Sequence, residues 1–183
     1  MLYSIYGGKN HPECKLQATD HDACRSSMYK GEVYNGDFNA DDFNRDDFHF
    51  TDVIESFCVP VFNDKFKLAC EAITHGAVSF RRTNVIWGKE NLLEWVGDEI
   101  KGFYVVRPKI VDIIDESKSP TQFWPKLKKF KHQDYVITGL PDTEIGVFVD
   151  LKRPHLFIIT EDMKRSLDAH GIQASFEELP VVT

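Results

Sequence analysis

The chain has 183 residues, a net charge of −7 and 42% hydrophobic residues, which is the composition of a globular protein that can bury one core. This composition excludes intrinsic disorder and collagen-like structure, and no apolar run is long enough to span a membrane. An acidic chain is also a poor match for nucleic-acid binders, which carry basic surfaces. We expect one domain, residues 1–183, in the cytoplasm, because the N-terminus lacks the basic and apolar regions of a signal peptide.

The excess negative charge lies in the first third of the chain. Residues 1–57 contain 11 acidic and 5 basic side chains, and most of the excess falls within residues 36–55. Asp-Phe pairs recur there at intervals of five residues. This period fits neither a helix nor a strand, so the pattern predicts loop or irregular edge structure.

We expect residues 1–51 to form an acidic, aromatic-bearing N-terminal segment before a core at residues 52–183. The most charged part, residues 36–55, which we call the acidic segment, has two interpretations. In the first, the acidic side chains are solvated and the phenylalanines pack into the core. In the second, the acidic side chains steer a basic protein partner towards aromatic contact residues. The contact residues predicted by the second interpretation are Asp37, Phe38, Asp41, Asp42, Phe43, Asp46, Asp47 and Phe48.

Residues 59–80 predict a strand, a helix and a second strand. Asn63 is suited to cap the helix and Asp64 to occupy its first turn, since both side chains favour a helix N-terminus. The helix is predicted to end at His75-Gly76, where glycine can adopt a positive φ. Residues 156–176 follow the same plan, with Thr160 as the cap and a second His-Gly pair at the end of the helix.

The residues between these two units predict mixed structure. Residues 90–96 resemble a short helix ended by Gly97, and 103–114 predict a strand interrupted near Pro108. Residues 117–125 predict a loop, while 135–138 and 145–149 are strand candidates. Strands and helices are mixed with few strict β-α-β units, so the predicted class is α+β, with a mixed sheet and two strand–helix–strand units in one domain.

A basic, aromatic segment follows the predicted loop. It contains Lys126, Lys128, Lys129 and Lys131 near Trp124 and Phe130. The acidic balance of the whole chain disfavours nucleic-acid binding here. A solvated helix face, or a charge-complementary neighbour of the acidic segment, is the interpretation we favour.

Residues 52–183 resemble a family of bacterial immunity proteins from polymorphic toxin systems, formerly a domain family of unknown function. The resemblance rests on the order of several phrases over some 130 residues. The matching phrases are residues 52–56 and 59–66, residues 102–106 and 111–117, and residues 156–164, 170–172 and 176–181. The acidic segment before Asp52 lies outside the resemblance, and the lysine-rich segment departs from it.

The resemblance implies a non-enzymatic protein that binds and neutralises a cognate antibacterial toxin by occluding its active site or an exosite. Such toxins pass between competing bacteria, often by contact-dependent or type VI secretion. The family has no catalytic residue or cofactor to transfer to this chain. Two other classes stay open: a small hydrolase or nucleotide-modifying enzyme, and an adaptor of a secretion machine.

Two His-x-x-Cys units are a second candidate site. His11, Cys14, His21 and Cys24 could bind zinc tetrahedrally, although the usual arrangement pairs Cys-x-x-Cys with two histidines. Ordinary loop residues are therefore the interpretation we favour, with no metal. Cys58 and Cys70 lie in apolar surroundings and predict buried thiols. The acidic pair Asp115-Glu116 is of a type common on protein surfaces.

Overall fold

The computed structural model describes residues 1–6, 16–40, 51–56, 59–91, 94–119, 121–124, 129–132, 136–138, 140 and 145–179. Residues 6, 87–91, 94–100, 121–124 and 129–132 are described by their backbone alone. The fold is α+β, as predicted. The helices are α1 (His21–Lys30), α2 (Asp64–Thr74) and α3 (Glu161–Ala169). The strands are β1 (Leu2–Tyr6), β2 (Gln17–Ala18), β3 (Phe38–Ala40), β4 (Val53–Ile54), β5 (Val61–Asn63), β6 (Ser79–Asn91), β7 (Glu94–Arg107), β8 (Lys109–Val111), β9 (Thr121–Trp124), β10 (Lys129–His132), β11 (Val147–Asp150), β12 (Arg153–Thr160) and β13 (Ser175–Leu179).

The strands form two mixed sheets and one separate hairpin. The six-stranded sheet has the order β2-β3-β6-β7-β5-β4, and the five-stranded sheet has the order β13-β1-β12-β11-β8. The hairpin consists of β9 and β10. Each sheet contains one parallel pair, β3 with β6 and β8 with β11, among antiparallel pairs.

The two predicted strand–helix–strand units share one topology. In the first unit, β7 lies between β5 and β6 and is antiparallel to both. In the second unit, β1 lies between β12 and β13 and is antiparallel to both. Each unit is therefore a split β-α-β arrangement, in which a strand from elsewhere in the chain fills the space under the helix. The filling strand of the second unit is the first strand of the chain, so the N-terminal residues are part of the core of the fold.

The predicted helix boundaries are confirmed by their caps. The Asn63 side chain accepts a hydrogen bond from the backbone N–H of Phe66 at 3.0 Å. The Thr160 hydroxyl accepts one from the backbone N–H of Met163 at 3.4 Å. Gly76 and Gly171 adopt φ values of +77° and +66° where the two helices end, a conformation that glycine reaches without steric cost.

One hydrophobic core joins the two sheets through α2 and α3. Its side chains come from both sheets and both helices, and they include Phe62, Phe66, Phe157, Ile159, Met163 and Leu167. A second cluster packs around Phe38 and Val85 on the six-stranded sheet, together with Cys24 of α1. A third cluster, around Phe148 and Ile158, belongs to the five-stranded sheet. Since buried apolar area is the main source of stability, the first cluster holds the two units together.

Three local predictions are wrong. Residues 90, 91 and 94–96 lie in the paired strands β6 and β7, so the predicted helix at 90–96 does not form. The predicted loop at 117–125 contains strand β9, and Lys129 and Lys131 lie in strand β10, so those two lysines are not on a helix face. In each case pairing with the other strand of a hairpin outweighs a weak local propensity. Lys126 and Lys128 lie outside the described residues.

The other strand predictions are confirmed in part. A break at Pro108 separates β7 from β8, and the strand predicted at 145–149 is β11. At 135–138 the described residues form a single bridge, between Ile137 and Ile114. None of the helices within the described ranges is long and apolar enough to cross a bilayer.

Candidate partner-binding surface

The predicted contact residues divide into two groups in the structure. Asp37 and Phe38 are described, at the start of β3. The remaining six lie outside the described residues: Asp41, Asp42, Phe43, Asp46, Asp47 and Phe48. The structure therefore describes the two ends of the acidic segment, and these ends determine where in the fold the segment begins and returns.

The prediction that Phe38 contacts a partner is wrong. The side chain is 0% exposed and packs edge-on against Tyr34, with ring centroids 5.4 Å apart. In the sheet, Phe38 pairs with Val85 of β6, which is also buried. Burying a phenylalanine stabilises the core, and a ring inside the core is not available to another protein. For Phe38, the interpretation that the phenylalanines of this segment pack inside is the correct one.

Asp37 is partly exposed, and its polar groups fix the start of β3. Its Oδ1 accepts a hydrogen bond from the backbone N–H of Asn84, at 3.1 Å. Its backbone carbonyl accepts two more from Thr19, one from the N–H at 2.9 Å and one from the hydroxyl at 3.0 Å. Asp37 thus links three parts of the chain, around Thr19, Asp37 and Asn84.

The turn before Asp37 is held on β6 as well. The Arg81 guanidinium donates to the Tyr34 carbonyl at 2.8 Å, and the Thr83 hydroxyl donates to the Gly36 carbonyl at 2.9 Å. Both acceptors are backbone groups, so these bonds fix the path of the chain. We call this set of contacts, from Tyr34 to Asp37 onto β6, the first anchor.

The return of the acidic segment is fixed by Asp52, which is 6% exposed. Its carboxylate accepts hydrogen bonds from the Asn63 side-chain amide at 2.7 Å, from Lys65 Nζ at 3.2 Å and from the backbone N–H of Gln173 at 2.7 Å. Lys65 Nζ also donates to the Gly171 carbonyl. We call these contacts the second anchor. They join the N-terminus of α2 to the residues that follow α3, so the second anchor links the two units.

The end of β3 and the start of β4 point towards the same end of the six-stranded sheet. β3 runs parallel to β6, whereas β4 is antiparallel to β5, which is itself antiparallel to β7. The end of β3 and the start of β4 therefore face the end of the sheet at which β6 turns into β7. Four strand spacings separate β3 from β4, which corresponds to about 19 Å. The chain from Ala40 to Thr51 has to connect these two positions.

The charge of this connecting segment suits a cationic partner. Residues 41–50 contain four aspartates and one arginine. Carboxylates concentrated on one part of a surface attract cations and raise the rate at which a basic protein docks, and this effect weakens as salt increases. The acidic segment can thus attract a basic partner, while hydrogen bonds near its two ends hold the chain in place.

The acidic pair Asp115-Glu116 does not form a convergent catalytic site. Asp115 accepts hydrogen bonds from Ser117, which hold its pKa below the usual value, and it also lies 3.3 Å from Lys118 Nζ. Glu116 lies 3.8 Å from the Arg153 guanidinium. A general acid at neutral pH needs a raised pKa. A lowered pKa and separate ion-pair partners indicate a salt-bridged surface.

Cys24 and Cys70 are both 0% exposed. Burial raises the pKa of the Cys70 thiol to about 12, so the reactive thiolate is scarce at neutral pH. The prediction of a buried thiol at Cys70 is confirmed. Cys58 lies outside the described residues.

The structure describes two of the four candidate zinc ligands. His21 is the first residue of α1 and is exposed, while Cys24 points into the core from the same helix. His11 and Cys14 lie outside the described residues. Within the described part of the chain, no three His, Cys, Asp or Glu side chains are placed to hold a metal ion together.

The sequence reasoning missed the second anchor, whose partners are 11 to 121 residues apart. The signals that could have indicated it were Asn63 as a helix cap and a lysine, Lys65, in the first turn of the same helix. When compared with models of protein families and with curated proteins, the chain matches none. The resemblance to immunity proteins therefore stays a prediction.

Proposed function

We propose that this chain is an immunity protein, which binds a cognate antibacterial toxin in the cytoplasm and blocks its activity without chemical turnover. The observation that carries the proposal is the placement of the acidic segment. The segment holds most of the excess negative charge of the chain, and hydrogen bonds to distant residues fix the chain near both of its ends.

Rigid attachment matters because ordering a loop upon binding costs conformational entropy. An acidic segment whose two ends are already fixed loses less freedom when a partner docks. The anchors support a role in recognition, since their hydrogen bonds limit the conformations of the chain on both sides of the segment.

Inhibition would follow from occlusion of the toxin. Carboxylates suit a cleft that binds a polyanion, such as the active site of a nuclease, because that cleft is lined by Lys and Arg. The acidic segment would occupy part of the position that the nucleic-acid backbone takes. This use of charge favours a fast association rate, which protects a cell before the toxin acts.

A survival assay tests the proposal. The toxin domain encoded in the neighbouring reading frame is expressed in sensitive cells, with and without this chain, and colonies are counted. We expect survival to be restored by this chain and by a matched fold control with an intact acidic segment, Glu177→Lys with Glu178→Lys, since both glutamates lie exposed on β13 of the other sheet. Equal killing with and without the chain would reject the proposal.

A further inference from the structure

The β6–β7 hairpin extends beyond the rest of the six-stranded sheet. β3 pairs with β6 as far as Trp87, and β5 pairs with β7 at Phe103 and Tyr104. Beyond Trp87 and Asp98, residues 88–91 pair with residues 94–97, and no further strand among the described residues pairs with this part. We call these eight residues the hairpin arm. Four residues of strand extend about 13 Å.

The base of the hairpin arm has two features of a distinct structural element. Gly88 and Gly97 are paired directly opposite each other where the neighbouring strand β3 ends. Glycine in a strand marks a bend or a close approach of another backbone. Closer to the sheet body, the β6–β7 register shifts between Thr83 and Val85, and Gly102 takes a φ of +89°. A bulge of this kind bends a hairpin and re-aims its tip.

The hairpin arm combines acidic residues with a tryptophan. It contains Trp95, paired with Glu90, and a second glutamate, Glu94, paired with Asn91. Residues 88–99 carry four acidic side chains and one lysine. Tryptophan is the residue most enriched among energetically dominant contacts at protein interfaces. Acidic residues around it suit a basic partner and disfavour self-pairing of the strand edges, because like charges repel.

We propose that the hairpin arm inserts into the basic cleft of the toxin and provides the main binding energy of the complex. This inference rests on the proposed function, and it names the element that makes contact. The arm leaves the sheet at the end where β3 finishes and β4 begins, so it points towards the same partner as the acidic segment. Long-range attraction comes from the charge, and residence time comes from the inserted arm.

The decisive variant deletes residues 89–96. This deletion joins Gly88 to Gly97, and Gly-Gly is a favoured two-residue connection for a hairpin. Trp87 and Asp98 then remain paired, as in the intact chain. Thermal unfolding of the deletion variant measures whether the two units still fold. Binding is measured by biolayer interferometry with the toxin domain against which the intact chain protects cells.

We expect the deletion to raise the Kd at least 100-fold, mainly through a faster dissociation rate. A second variant, Glu90→Lys with Glu94→Lys, keeps the length of the arm and is expected to lower the association rate about fivefold at low salt. Glu177→Lys with Glu178→Lys makes the same charge change on β13, and its kinetics should stay within twofold of the intact chain. If the deletion variant does not fold, the inference is decided by comparing the association rate of Glu90→Lys with Glu94→Lys with that of the β13 control, Glu177→Lys with Glu178→Lys.

Three outcomes would overturn the inference. A folded deletion variant that binds within threefold of the intact chain would remove the arm from the interface while leaving the immunity function in place. Sedimentation in which the intact chain is a dimer and the deletion a monomer, with unchanged toxin affinity, would assign the arm to self-association. An intact chain that does not bind or protect would reject both the arm and the immunity function.

Discussion

Lys65 and Asp52 form an ion pair of 3.2 Å, and each also bonds to the backbone that follows α3. Lys65 lies in the first turn of α2, and its Nζ also donates to the Gly171 carbonyl after α3. Asp52 reaches the second unit too, through the backbone N–H of Gln173. The apolar contacts between α2 and α3 hold the units together, and this polar link fixes their register and the return of the acidic segment.

Replacing Asp52 with Ala should destabilise the protein. The change leaves the Asn63 amide and the Gln173 N–H without their acceptor, and loss of a hydrogen bond to a charged group costs about 1.5–3 kcal/mol. We expect the free energy of unfolding to fall by about 3 kcal/mol in urea titrations. Lys65→Met is the control and should lose less, because the lysine is half exposed. Equal stability of the intact chain and Asp52→Ala would disprove the importance of the second anchor.

Asp150 should be just as sensitive, for a related reason. Its carboxylate is 0% exposed and accepts three backbone N–H groups, from Ile113 at 2.8 Å, Ile114 at 2.9 Å and Lys152 at 2.7 Å. In Asp150→Asn an NH₂ group replaces one carboxylate oxygen. This group faces backbone N–H donors and cannot accept a hydrogen bond from them. We expect a loss of about 2 kcal/mol in the free energy of unfolding, measured by urea titration. An unchanged unfolding midpoint would mean that these three contacts are replaceable by water.

Phe38 should affect stability and leave recognition unchanged. Truncation of a fully buried phenylalanine to Ala creates a cavity and costs about 3 kcal/mol or more. Phe38→Leu fills most of that volume and should cost less. For Phe38→Leu, which stays folded at working temperature, we expect the kinetics of toxin binding to match those of the intact chain. A large loss of toxin affinity in this folded variant would show that Phe38 contributes to the interface.

The stability of the protein should fall at high pH because of Cys70. Burial raises the pKa of this thiol to about 12 in the folded chain, whereas an exposed thiol ionises near its usual pKa of about 8.5. Below the pKa of the exposed thiol, Cys70 is protonated in both the folded and the unfolded chain, and its contribution to the free energy of unfolding is fully present. As the pH rises from about 9 to 12, the unfolded chain loses the proton first, so the free energy of unfolding falls.

Urea titrations near pH 8 and near pH 10 of the intact chain and of Cys70→Ala measure this effect. The intact chain should lose more stability between the two pH values than the variant does. The same loss in both proteins would show that other groups account for the alkaline sensitivity.

Charge reversal in the acidic segment tests its role in docking. We expect Asp42→Lys with Asp47→Lys to lower the association rate with the toxin about tenfold at low salt, and to flatten the salt dependence of that rate. Dissociation should change less, because exposed charges act mainly on encounter. Unchanged kinetics in biolayer interferometry would remove the acidic segment from the interface.

The local structure of the two units could be predicted because its causes are local. Asn63 and Thr160 cap the helices three residues ahead of the N–H groups that they bind, and Gly76 and Gly171 end them. These rules act within one helical turn, so the order of the residues is sufficient to apply them.

The hairpin and the second anchor could not be predicted because their causes are not local. Glu90 and Glu94 are of a residue type that favours helices, yet residues 90, 91 and 94–96 are strand because β6 and β7 pair along the described length of the hairpin. Asp52 finds Gln173 at a separation of 121 residues. The burial of Phe38 follows from the parallel pairing of β3 with β6, which no short pattern encodes.

An inhibition titration tests the central claim most directly. The activity of the toxin is measured while this chain is added in increasing amounts, and the mass of both proteins is determined afterwards. Binding without chemistry predicts a linear loss of activity that ends at an equimolar ratio, with both masses unchanged. Complete inactivation by a small fraction of an equivalent, or a changed mass of the toxin, would identify an enzyme and contradict the account.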